Sequence, residues 1–326
     1  MNTISRDEIN GFIQNFKGKK IVVLGDLMLD RYFWGKVTRV SPEAPVPVVD
    51  IKSESYHLGG AANVASNLKS LGLETYLCGL VGDDEYGHKF VDLANQIGVD
   101  VEGVYIDPDR PTTVKTRVFG NNQQIVRLDT ESIKTVSTKA ERHILDKLHE
   151  IKDIDCIVFS DYNKGCLSEI VIREIITQAK NNNIPILVDP KFNNFFEYSN
   201  VTLVKPNKKE AEVALNMRLD SVEEVNKAGK TLLKKLNVDN VLLTLGQDGM
   251  VLFENNGNIT RIPTKARTVA DVSGAGDTAI ASFAAVYISG ADVKQAAVVA
   301  NIASGIVCEK PGIVSIEIDE LLKGFE

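Results

Sequence analysis

The sequence predicts an α/β protein built on a mostly parallel sheet with helices on both faces, carrying a small β-sheet lid. Short apolar runs alternate with helix-length amphipathic stretches along most of the chain. That order is the one parallel strands joined by crossover helices require. Two stretches, 31–58 and 101–130, break the rhythm with alternating apolar and polar residues, the mark of half-exposed strands. From 275 onward the pattern is one of consecutive helices.

Taken in order, MNTISRDEINGFIQNFKGKK places Ile9, Phe12, Ile13 and Phe16 at helical spacing with no continuous apolar run, and so predicts a short amphipathic helix. IVVLG at 21–25 reads as a buried strand, followed by apolar runs at 75–80, 156–160, 184–188, 201–204 and 240–245. Helical patterns lie at 60–71, 84–97, 137–150, 167–182 and 221–236. The insertions at 31–58, with its prolines in SPEAPVPVV, and 101–130, with TTVKTRVF and QIVRLD, are expected to form one lid over the carboxyl ends of the core strands. Ligands of open α/β sheets bind at those ends. No internal repeat, low-complexity tract or long linker divides residues 1–326, so a single domain is expected.

Composition bounds the function. A hydrophobic content of 44% with 25% charged residues is that of an ordinary globular protein. A net charge of -7 and a pI near 5.3 argue against nucleic acid and anionic membrane as partners, so any phosphate site must be local. Cys78, Cys156, Cys166 and Cys308 form no C-x-x-C pair and lie in apolar stretches, as buried thiols of a reducing compartment do. No apolar run approaches the roughly 20 residues that span a bilayer, and a cytoplasmic protein is expected.

The most informative run is DVSGAGDTAIASFAAVYISG, residues 271–290. Gly274, Ala275 and Gly276 lead directly into an apolar helix, whose first-turn N–H groups and dipole make an anion site. Asp277 in that turn would repel a resting phosphate, so its presence needs another reason. A base beside an anion hole suits phosphoryl transfer, where a hydroxyl must be aligned and deprotonated. Plain helix capping is the alternative for an isolated Gly-x-Gly-Asp. Two near-motifs fail: GDDEYGHK at 82–89 has His88 where a P-loop needs Lys, and Gly274 to Ala279 opens helices with no βαβ unit following.

These residues resemble the ribokinase-like (PfkB) carbohydrate kinases, whose carboxyl-terminal signature matches Asp271 to Asp277 without a gap. The amino-terminal signature matches Gly59, Gly60 and Asn63 in LGGAANVASNLKSLG, and the resemblance covers essentially the whole chain. It implies Asp277 as the base, with the Gly274-Ala275-Gly276 turn stabilising the transferred phosphoryl group, and Asp30 in GDLMLD bonding sugar hydroxyls. It also implies Asn207 and Glu210 of KPNKKEAE near the triphosphate of ATP and its hydrated Mg2+, although Asn and Glu three apart equally make a capping box. Thr244, Gly246 and Gly249 of TLGQDG would lie beneath the nucleotide, and Asp271 with the 309–315 loop would hold a monovalent cation such as K+. The same glycines, Asp26 and Asp30 could instead serve as turn and strand-end residues.

GDLMLDRYFWGKVTRVSPEAPVPVVDI, NNQQIVRLD and SDYNKG resemble one branch, the D-glycero-D-manno-heptose 7-phosphate kinases of lipopolysaccharide core synthesis. That resemblance implies ATP-dependent phosphorylation of the anomeric hydroxyl to the 1,7-bisphosphate, with a separate nucleotidyltransferase downstream. A phosphorylated substrate needs cations away from Asp277. Lys115 and Arg117 share one face of TVKTRV and Arg127 on the next strand could meet them, with Lys164 and Lys191 as further candidates; exposed lid charge is the alternative. Free edges of lid strands favour a homodimer. A kinase for ribose, fructose or adenosine, and a non-catalytic nucleotide-binding protein, are the competing functions.

Overall fold

A computed structural model describes residues 4–264 and 270–325. The chain runs α1 (Arg6–Gln14), β1 (Lys20–Gly25), β2 (Leu27–Val40), β3 (Pro47–Gly60), α2 (Ala61–Ser70), β4 (Glu74–Gly82), α3 (Glu85–Gln96) and β5 (Asp100–Asp107). It continues through β6 (Thr113–Gly120), β7 (Gln123–Thr130), α4 (Thr138–Glu150), β8 (Cys156–Ser160), α5 (Glu169–Asn181), β9 (Ile186–Asp189) and β10 (Leu203–Val204). The last elements are α6 (Lys208–Leu215), α7 (Val222–Leu236), β11 (Asn240–Thr244), β12 (Met250–Glu254), β13 (Ile259–Ile262), α8 (Ala275–Tyr287), α9 (Val293–Cys308) and α10 (Ile318–Lys323).

Nine strands form the main sheet in the order β13-β12-β11-β10-β9-β8-β1-β4-β5. It is parallel except for β12 and β13, which return antiparallel at one edge. Alternate residues of β1 serve opposite faces, as strand geometry dictates. Ile21 and Val23 pack in the core shared with α2, α8 and α9, whereas Val22 and Leu24 pack in the core shared with α4, α5 and α7. Helix α8 is buried at every position from Asp277 to Val286. An apolar helix of that kind needs neighbours on all sides, and α2, α9 and the sheet supply them.

The strand order reverses between β1 and β8, the position at which doubly wound sheets open a crevice at their carboxyl ends. Here the chain leaves β1 at Gly25 and passes through Asp26 into the lid, a four-stranded sheet ordered β3-β2-β6-β7. The expected boundary of the second lid segment is corrected. Residues 100–107 form β5, which pairs in parallel with β4 at the edge of the main sheet, and the lid takes only Thr113 to Thr130. An edge strand is half-exposed, so VEGVYID carries the same alternation as a lid strand. The hairpin β12–β13 was not among the expected strands either.

The expected helices at 60–71, 84–97, 137–150, 167–182 and 221–236 correspond to α2, α3, α4, α5 and α7. Caps explain their starts: Asp84, Ser137, Ser168 and Ser221 each accept a backbone N–H three residues on. Asp84 thus caps α3 rather than lining a phosphate loop. Among the described residues no helix is long and apolar enough to cross a membrane.

Candidate active site

Asp277 lies in the first turn of α8, 5% exposed, at the carboxyl end of the sheet. Its N-cap Gly274 has φ 80°, and a Cβ there would stand 2.7 Å from Asn63 Nδ2, so glycine is required on both counts. Two donors hold the carboxylate, one on each oxygen: Tyr162 Oη gives to Oδ1 at 2.6 Å and Asn63 Nδ2 to Oδ2 at 2.8 Å. Asn63 is oriented in turn by Asn67, which donates to its Oδ1 at 3.3 Å and accepts from Thr278 and the Ile316 amide at 3.0 Å. Burial pushes the Asp277 carboxyl up to about 6, and Asp189 adds to the rise, while Tyr162, Asn63 and Lys205 hold it down.

Beside the α8 turn stands a group of cations. A Cβ on Gly276 would lie 3.3 Å from Lys205 Nζ, and Lys205, 3% exposed, pairs with Asp189 at 3.0 Å. Lys191 pairs with Glu210, and although burial works against its charge, Asp189, Glu210 and Asp277 together hold it above the ordinary lysine value. Glu210 and Asn207 form the capping box of α6, with Asn207 Oδ1 accepting from Glu210 N at 2.9 Å and Glu210 Oε2 from Asn207 N at 2.8 Å. Thr244 bridges to Asn207 in parallel, so the turn through Gly246 and Gly249 adjoins the α6 start. Gly249 has φ 81° and a Cβ there would meet Ile262 O at 2.1 Å, whereas Gly246, at φ 61°, faces open space.

A second group of charges lies under the lid. Asp30, 2% exposed, is paired with Arg117, and burial keeps its carboxyl raised even so. Gly59 lies against it: a Cβ would come within 2.1 Å of Asp30 Oδ2, and one on Gly60, at φ 60°, within 2.4 Å of Asp26 O. Lys115 stands 3.8 Å from Asp129 and 3.9 Å from Glu131, and Lys164 is 2.7 Å from Glu131. Arg117 and Arg127 are directly opposed across β6 and β7, yet Arg127 is half-exposed and turned to Asp129 at 2.9 Å. Asp271 accepts the Ser273 amide at 2.9 Å and the Gly312 amide at 3.2 Å, tying the segment before α8 to the loop after α9.

The candidates therefore separate into three places. Gly274, Ala275, Gly276, Asp277 and Asn63 meet at the α8 turn. Lys191 joins Glu210, Asn207, Thr244, Gly246 and Gly249 on the side of α6 and β11. Asp30, Gly59, Gly60, Lys115, Arg117, Arg127 and Lys164 gather at the lid. Asp26 belongs to none of them: its carboxylate accepts the amides of Tyr162, Lys164 and Cys166 at 2.7, 3.0 and 3.1 Å and holds the loop after β8. Sequence reasoning missed Tyr162, Asp189 and Lys205. Their shared signal was position, since each closely follows or ends a parallel strand at its carboxyl edge.

Residues 18–319 match the family described as pfkB family carbohydrate kinase. The chain belongs to that family. Among curated relatives, "Bifunctional protein HldE" of Helicobacter hepaticus is 43% identical over 94% of this chain and 64% of its own length. The protein of the same name from Pelobacter propionicus is 40% identical over 98% of this chain and 66% of its own. The chain thus spans just under two thirds of the length of these relatives. Phosphofructokinase-2 from Escherichia coli, solved in complex with potassium, superposes with a TM-score of 0.77 at 18% identity, covering 94% of this chain and 97% of that one. Arabidopsis thaliana ribokinase, complexed with ribose and ATP, gives 0.73 at 19% identity, covering 95% and 99%. These two likenesses establish the ribokinase-like fold, and the expected class of carbohydrate kinase is borne out by the family.

Proposed function

We propose that this chain phosphorylates the anomeric hydroxyl of D-glycero-D-manno-heptose 7-phosphate with ATP, giving the 1,7-bisphosphate on the route to an ADP-activated heptose. The observation that supports a kinase is the placing of Asp277 between a helix N-terminus and the Lys205–Asp189 pair. Asp277 takes the proton of the sugar O–H, the sugar oxygen attacks the γ-phosphorus, and the bond to the bridging oxygen of ADP breaks. The α8 turn and Lys205 stabilise charge on the phosphoryl group in flight, and Lys191 meets the phosphate chain. Heptose 7-phosphate is favoured by the match to the heptose branch and by the separate lid cations Lys115, Arg117, Arg127 and Lys164. Asp30, Gly59, Gly60 and Asn63 line the sugar. A screen of ATP with sugars and sugar phosphates tests the reading, and preference for fructose 6-phosphate, ribose or adenosine would reassign the acceptor.

The residues fit a magnesium nucleotide. No group of three or more His, Cys, Asp and Glu among the described residues could hold a metal ion, so Mg2+ would take most of its ligands from water and phosphate, as it commonly does. Glu210, with Asn207 beside it, would accept from that water, and the ion would neutralise charge on the phosphates. Glu210→Gln can still cap α6, so its expected effect is a raised magnesium requirement in an enzyme that remains folded. Titrating Mg2+ at fixed ATP reads this, and an unchanged curve removes Glu210 from the site. Asp271 and the 309–315 loop are proposed for K+, which activity in K+ against Na+ would test.

The acid limb of the rate is set by Asp277, which must be ionised to accept a proton. Activity should be flat above pH 7 and fall about tenfold per pH unit below about 6. A limb near pH 4 would show the carboxyl unperturbed. A homodimer through the lid is also proposed, because β7 is exposed along its whole length with Ile125, Val126 and Leu128 uncovered and one edge unpaired. Sedimentation of Leu128→Glu against the parent checks it; a monomeric parent removes the dimer.

A further inference from the structure

Resting on the kinase reading, we propose that Tyr162 is the positioning residue of the base: its hydroxyl, delivered by a loop anchored on Asp26, fixes the Asp277 carboxylate and hydrogen-bonds its charged form. Nothing in the family signature names this residue. Its motif, SDYNKG, lies outside both family signatures.

The geometry is built from both ends. Asp26, 2% exposed, gathers three backbone amides of the loop, including that of Tyr162 itself at 2.7 Å. The preceding residue, Asp161, accepts from Tyr198 Oη at 2.7 Å, from Asn194 at 3.2 Å and from the Asn163 amide at 2.8 Å. Asn163 takes φ 56° and Gly165 φ 85°, so the chain turns sharply just beyond the tyrosine. The ring lies under Lys191, with Nζ 5.4 Å from its centroid. A loop held by two buried carboxylates therefore presents one hydroxyl to one oxygen of Asp277 at 2.6 Å.

With Asn63 on the other oxygen, the carboxylate plane is fixed, and each oxygen keeps a free lone pair for the acceptor hydroxyl. The groups facing Asp277 are Tyr162 after β8, Asp189 at the end of β9, Lys205 after β10 and Asn63 on α2. Lys191 is also felt across the site, and Asp30 acts on Tyr162 from the lid. Burial raises the Tyr162 phenol well above its ordinary value, and Asp277 and Asp189 raise it further, so it remains a donor throughout the working range. The proton of the sugar therefore goes to Asp277, and Tyr162 keeps its own.

The test is Tyr162→Phe in the full chain, with the Asp277 carboxyl followed by 13C NMR titration and its resonance assigned by Asp277→Asn. The expected result is a titration midpoint about one pH unit or more above the parent's, because the lost bond favoured the ionised form. The acid limb of kcat should move by the same amount, with the loss at pH 6 recovered largely at pH 8. Asp26→Asn, which leaves the tyrosine intact but weakens its anchor, should move the midpoint the same way by less. An unmoved midpoint with activity lowered equally at every pH overturns the proposal. So does a Phe variant that is faster or has a lower KM with the midpoint unchanged, since Tyr162 would then merely occupy the place of the acceptor. If the parent phosphorylates no sugar, the kinase reading fails, and the NMR midpoint still decides the role of Tyr162.

Discussion

Replacing Asp277 with Asn should lower kcat by about 100-fold or more and leave ATP binding nearly intact, because it removes the base while keeping its shape and the α8 turn. Single-turnover rates with heptose 7-phosphate, alongside nucleotide binding by calorimetry, measure the two separately. Full activity in the variant would end the assignment of Asp277. The same substitution has an opposite effect on the fold. A buried carboxyl whose value rises from 3.8 to about 6 on folding binds its proton more tightly in the native state. The contribution of Asp277 to stability is then greatest below the unfolded value and declines as pH rises from about 4 to about 6, by about 3 kcal/mol in all. Asp277→Asn abolishes that slope. The difference in denaturant midpoint between parent and variant from pH 4 to 7 would show it, and a difference that is level across this window contradicts the raised value.

The second large effect concerns the acceptor. Heptose 7-phosphate should far outperform unphosphorylated heptose, since only its phosphate can draw charge-assisted bonds from the cations Lys115, Arg117, Arg127 and Lys164, which carboxylates hold in the free protein. Arg117 making a charge-assisted bond to the phosphate would contribute roughly 1.5 to 3 kcal/mol of substrate binding, and so would Arg127. The structure adds a complication for Arg117, whose partner in the free protein is the buried Asp30. Arg117→Ala leaves that carboxylate uncompensated and should destabilise the fold as well. Asp30→Asn alone and combined with Arg117→Ala separates the terms: denaturant unfolding of the double variant reads the fold without a stranded charge, and its substrate binding is compared with that of Asp30→Asn rather than with the parent. Arg127→Ala, at a half-exposed position, has no such confound. Equal turnover of the two sugars by the parent would refute the heptose phosphate reading, and losses confined to ATP would move these arginines to the nucleotide side.

The sheet and its helices were legible because burial on both faces forces continuous apolar runs such as IVVLG, and because helix-length amphipathic stretches stand between them. The edges were not. Strands β5 and β13 are the two edges of the sheet, where pairing on one side loosens the composition rules that central strands obey, whereas β12, paired on both sides, carries the ordinary apolar run MVLFE. The α8 turn was legible for a similar reason, since glycine is demanded at Gly274 by backbone conformation and crowding alike. The partners of its aspartate were hidden by distance along the chain: Tyr162 is 115 residues away and Asn63 is 214. Glu210 shows a subtler limit. Capping and a role beside the nucleotide were set against each other, yet the observed capping box leaves the carboxylate at the site edge beside Lys191, where both can hold.

Helix α8, enclosed on every side, and strand β7, exposed along its length, bracket the molecule's range of local stability. Amides deep in α8 can meet solvent deuterium only when the whole domain opens, whereas those on the unpaired edge of β7 exchange by small local excursions. Asp277 is thus fastened to a part of the protein that opens only with the whole domain, whereas Arg127, alone among the proposed substrate cations, rides on β7. Mild heat or low denaturant should weaken capture of the sugar well before the chemical step deteriorates, so KM climbs while kcat holds.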